Sequence, residues 1–118
     1  MSLAQITARI HAAEAQYGRV PGSTRLIAVS KVQPLDRVVA VLEEGHRLFG
    51  ENYVQEGVDK IIAAVDHHLE WHFIGPLQSN KTRGVAEAFD WVHSVDRLKI
   101  AQRLSDQRPV HLLPLNVC

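Results

Sequence analysis

Three features of these 118 residues predict an α/β fold with a parallel sheet. Apolar runs begin near residues 26, 46, 71 and 90, about 20 to 25 residues apart, with a helical pattern between each pair. That alternation is the rhythm of a parallel sheet with crossover helices. The run over 26–29 is unbroken and carries β-branched Ile27 and Val29, the signature of a strand buried on both faces. Each run also ends in polar residues, namely Ser30-Lys31, Glu51-Asn52, Gln78-Ser79-Asn80 and Ser94 with Asp96, which would line one rim. The rhythm fits a closed barrel and an open flavodoxin-like sheet equally well.

Ahead of the first strand, Leu3, Ile6, Ile10, Ala13 and Tyr17 recur at helical spacing over 2–17, with Ser2 as N-cap and Gly18 as the left-handed residue past the end. After Lys31, Pro34 opens a helix whose apolar face is Val38, Val39, Val41 and Leu42, and Gly45 closes it. A short strand over 46–50 leads to a helix over 53–66 that presents Val54, Val58, Ile61, Ile62 and Val65 to the sheet, although Gly57 weakens it. The third strand covers 70–74, and Ser79 caps a helix over about 80–88. A fourth strand over 90–93 precedes a helix capped by Asp96 and stopped by Arg108-Pro109. The remainder reads as a loop entering a fifth strand that is not completed.

Composition narrows the function. Thirteen basic and thirteen acidic residues cancel, and no basic run interleaved with aromatics marks a nucleic-acid surface. The single cysteine, Cys118, allows no internal disulfide and points to a reducing cytoplasm. The first residues lack the pattern of a signal peptide, and no apolar run approaches the roughly 20 residues that cross a bilayer. His67, His68 and His72 make a poor zinc set, because 70–74 reads as strand and no carboxylate or thiol group completes it. No metal site is expected.

Lys31 stands where the first strand runs out, at the end of the sheet where chemistry collects in α/β folds. An ammonium at the mouth of an apolar core loses solvation, which suits the amine to condensation with a carbonyl. A lysine simply closing a strand and reaching to water is the plainer reading of this stretch alone. His72 lies between Trp71 and Phe73, so alternation sends it to the opposite face from both, as an interior histidine held by hydrogen bonds. Glu51 is a candidate for acid–base work only if it faces the mouth. From the residues alone, Ser94 and Asp96 read as a turn and a helix cap before they read as a site.

Four stretches in order look familiar: LIAVSK over 26–31, FGENYVQE over 49–56, WHFIGPLQSNK over 71–81 and HSVD over 93–96. Together they resemble the pyridoxal phosphate homeostasis protein family, itself similar to the N-terminal barrel of alanine racemase, and the match covers nearly the whole chain. The resemblance implies a (β/α)8 TIM-type barrel that holds pyridoxal 5′-phosphate as a Schiff base on Lys31. It implies a role in keeping vitamin B6 aldehyde bound, buffered or delivered, with no assigned turnover. Asn52 falls near the pyridine ring by the same resemblance, and His72 and Ser94 complete the cofactor-binding candidates. One departure is Gln33, where many relatives carry a second basic residue.

Length is the larger departure. A complete barrel takes about 250 residues, so this chain is expected to be the N-terminal half, a single unit over 1–118 with about four parallel strands, alternating helices and a leading helix. The family's glycine- and serine-rich phosphate-holding stretches belong to the last strands and have no counterpart here. Open sheet edges invite self-association. The alternatives are a racemase-like pyridoxal phosphate enzyme, which would need a second proton-transfer group opposite the lysine, and a fragment that holds no cofactor.

Overall fold

The computed structural model describes residues 2–118. Helix α1 spans Leu3–Gln16 and starts as predicted: the Ser2 hydroxyl accepts from the Gln5 amide, and the Gln5 side chain accepts from the Ser2 amide. Gly18 follows in the left-handed region at φ 68°. Glu14 in the last turn is buried and accepts hydrogen bonds from the Gly22 and Thr24 amides, so the loop after α1 folds back onto the helix. Tyr17, expected on the apolar face, is exposed.

The sheet follows as β1 (Ala28–Val29), β2 (Leu48–Glu51), β3 (Glu70–Phe73), β4 (Trp91–Val92) and β5 (Asn116–Val117). All pairs are parallel and the strand order is β1-β2-β3-β4-β5. A doubly wound open sheet reverses direction at a switch point, whereas sequential order is the order of a (β/α) barrel. The fold is therefore TIM-barrel-like, with five strands where about four were expected. The connecting helices are α2 (Leu35–Glu43), α3 (Val54–Ala63), α4 (Thr82–Ala88) and α5 (Leu98–Gln107).

Register assigns the faces. Phe49 is level with Trp71, and Glu51 with Phe73 and Val92; the apolar residues of this set join Val38, Val85, Ile100 and Leu104 in one core beneath the helices. Val29, Gly50, His72, Trp91 and Asn116 share the opposite face. That inner face is open: Val29 is 51% exposed. The first strand is therefore not buried on both faces: Val29 is half exposed on the inner side, and among the described residues β2 is its only strand neighbour.

Other differences are local. Ile62 and Val65 are exposed, while Gly57 and Lys60 form the buried side of α3. A 3-10 turn, Ser79–Lys81, precedes α4, and Ser79 contributes its carbonyl rather than a side-chain cap. Asp96 does not cap α5; the N-cap position is Arg97, and Asp96 lies 3.7 Å from its guanidinium.

Candidate functional site

The carboxyl ends of the strands form one rim, and backbone ladder bonds carry the sheet one residue past each strand. Ser30 N donates to Gly50 O, Ile74 N to Glu51 O and His93 N to Phe73 O, at 2.9 to 3.0 Å. Lys31 stands just beyond, in a turn closed by Gln33 N donating to Ser30 O. It is exposed and makes no hydrogen bond or ion pair with the described residues. The loss of solvation expected for it is thus not met, since the neighbouring inner face is uncovered.

The backbone around Lys31 is fixed on both sides. Ser30 is buried; its hydroxyl donates to Glu51 Oε2, and its carbonyl accepts from Lys60 Nζ. Val32 sits at φ 61°, a left-handed conformation that a β-branched residue adopts only when its surroundings enforce it. Its amide donates to Glu56 Oε1. Lys60 Nζ lies 3.0 Å from both Glu51 Oε2 and Glu56 Oε1. The Lys60 ammonium, followed by the Val32 amide, holds the Glu56 carboxyl below the usual carboxylate range. Glu51 is fully buried on the helix-facing side, which removes it from the mouth and from acid–base work there.

Asn52 follows β2 on the rim. Its Oδ1 is buried without a hydrogen-bond partner, and its backbone is packed tightly under Gly75, where an added Cβ would lie 2.4 Å from the Asn52 carbonyl oxygen. Only glycine permits that approach. Asn52, Tyr53, Phe73, Gln78 and Lys81 line a cleft at this end of β2 and β3. Ser94, just past β4, likewise has a buried hydroxyl with no partner. Unsatisfied buried polar atoms are rare enough that two on one rim call for a partner.

His72 lies one level below the rim on the inner face, buried, as alternation predicts. Its Nδ1 is 2.9 Å from His93 Nε2, its ring stacks on Trp91 at 5.6 Å, and its Nε2 is 3.3 Å from Glu70 Oε1. Burial, only partly opposed by the Glu70 carboxylate, keeps the imidazole below the ordinary histidine range. Lys31, Asn52 and Ser94 therefore belong to the rim, and His72 to a hydrogen-bonded pair beneath it. Sequence reasoning missed the Glu51–Lys60–Glu56 cluster. The signal available was Glu56 four residues ahead of Lys60 on a helix.

No family model matches the chain. Curated relatives do. The pyridoxal phosphate homeostasis protein of Vibrio cholerae is 58% identical over 120 residues, covering 98% of this chain and 51% of the relative. The proteins of that name from Escherichia coli and Pseudomonas aeruginosa are each 56% identical and are likewise covered over 51% of their length. Among solved structures, PipY of Synechococcus elongatus with PLP bound superposes with a TM-score of 0.71 at 43% identity, covering 86% of this chain and 47% of that one. A protein of unknown function from Bifidobacterium adolescentis superposes with a TM-score of 0.77 at 32% identity, over 87% and 46%. The chain spans about half the length of the curated relatives it matches, and over that half it is similar to the pyridoxal phosphate homeostasis proteins.

Proposed function

We propose that this chain binds pyridoxal 5′-phosphate in intracellular cofactor homeostasis, holding it in the cytoplasm as a Schiff base on Lys31. The observation that carries the reading is an unpaired amine on a turn fixed from both sides, at the end of the first strand of a barrel-like sheet. The names of the curated relatives and the PLP bound in PipY support the choice of ligand. When bound, this cofactor supplies an aldehyde electrophile, which a lysine amine meets directly.

The residues present fit the aldehyde and ring end of that group. Lys31 presents the amine, while Asn52 Oδ1 and Ser94 Oγ are buried acceptors left without protein partners. His72 pairs with His93 through Nδ1 and keeps a buried Nε2 without a hydrogen-bond partner, so it joins them as a cofactor-binding residue from one level below the rim. The lysine bond and the ring contacts are the part of the binding that these residues supply. The open β1 and β5 edges further suit the chain, read as the N-terminal half of a barrel, to pairing with another copy.

Addition of pyridoxal phosphate to the pure chain tests this directly. A lysine-linked absorbance band is expected, fixed by borohydride at Lys31 and abolished in Lys31→Ala. A band of equal strength in that variant, or none at millimolar cofactor, would overturn the assignment.

A further inference from the structure

The proposed contact with the cofactor leaves unexplained why a cation and two carboxylates are gathered between β2 and α3. Glu51 is 0% exposed and Lys60 nearly so, and taking such charges out of water carries a penalty that only good geometry recovers. Every side-chain hydrogen bond these three residues make outside the cluster is with the Lys31 turn. Glu51 accepts from the Ser30 hydroxyl, Lys60 donates to the Ser30 carbonyl, and Glu56 accepts from the Val32 amide. The residues on either side of Lys31 are therefore tied to one ionic centre on the far side of the sheet, and Val32 is held left-handed by it. A cluster serving stability alone would have no reason to spend its contacts on one exposed turn.

We infer that Glu51, Lys60 and Glu56 are positioning residues that hold the Lys31 turn in a left-handed bend and so present the lysine amine at the rim. The inference rests on the reading of Lys31 as the cofactor lysine. Without the bend, Val32 relaxes to an extended backbone and Lys31 no longer leaves the sheet at a fixed angle. Preorganisation of this kind appears as retained cofactor rather than as fold stability.

Removing Lys60 would leave Glu51 buried without its cation, so the test falls on Glu56, whose side chain is 31% exposed. In the whole chain, Glu56→Ala is expected to deprotect the Val32 amide in hydrogen exchange and to weaken pyridoxal phosphate retention about tenfold, the loss of one charge-assisted hydrogen bond. The borohydride-fixed product should also spread from Lys31 to other lysines. Glu56→Gln, which keeps an oxygen for the Val32 amide, should restore both amide protection and site selectivity. Unchanged retention and selectivity in Glu56→Ala, or a Val32 amide still protected there, would overturn the inference. Failure of the unsubstituted chain to take up cofactor would instead overturn the assignment of Lys31 itself and, with it, this role.

Discussion

The His72–His93 pair gives the inner face a defined response to acid. Burial keeps His72 below the ordinary value of 6.5, so at pH values beneath that figure the unfolded chain takes up a proton that the folded chain refuses. Its contribution is complete above pH 6.5 and is lost as the pH falls from there through the folded value. Urea midpoints measured across this window should decline for the unsubstituted chain. They should be flatter in His72→Phe, which can still stack on Trp91 and leaves exposed His93 to water. A parallel decline in both would assign the effect to other histidines. Among single residues, those acting through near neighbours were legible in the sequence: the Ser2 cap, and Gly18 and Gly45 at positive φ. Buried Glu14 and Glu51 were not, since their burial depends on partners that only the folded chain assembles, some as distant in sequence as Ser30 is from Glu51.

Helix α3 shows how an element can be found while its buried side is mistaken. Apolar spacing over 53–66 located the helix, but Gly57 is the residue pressed inward, with Ile62 turned to solvent. An added Cβ at Gly57 would lie 2.6 Å from Phe89 Cζ and 3.2 Å from Glu51 Cβ. Alanine would gain about 1 kcal/mol in helix propensity. Phe89 is fully buried and edge-packed on Phe73, so its ring has nowhere to move, and overpacking costs typically 1–3 kcal/mol. The clash should win: Gly57→Ala is expected to lower stability by roughly 1 kcal/mol, seen as a lower urea midpoint at constant slope. A higher midpoint would mean that α3 slides outward without loss. Strands were placed to within a residue or two, except that the run over 26–31 shortens to Ala28–Val29. Its apolar length reflects positions meant for burial, and pairing on one side alone does not extend a strand along all of them.

At the scale of the molecule, the alternation of strands and helices was legible from spacing, while the choice of barrel over open sheet came only through the family resemblance, because spacing carries no information about strand order. Sequential pairing decides it, and it leaves β1 and β5 each with one neighbour. The inner face between those edges mixes apolar Ile27, Val29 and Ile74 with the histidine pair. A twisted parallel sheet with helices on one side only is seldom stable in water, since parallel strands are normally covered on both faces. The pairing with a second copy proposed above would use these two edges and this face. The chain should therefore sediment above the 13.2 kDa of one copy and dissociate on dilution. A charge placed on the inner face, as in Val29→Lys, should shift that equilibrium toward monomer, because an unpaired ammonium would have to be buried at the contact. A species that stays monomeric at every concentration, yet unfolds in one cooperative transition, would show that the single helical layer stabilises the sheet alone.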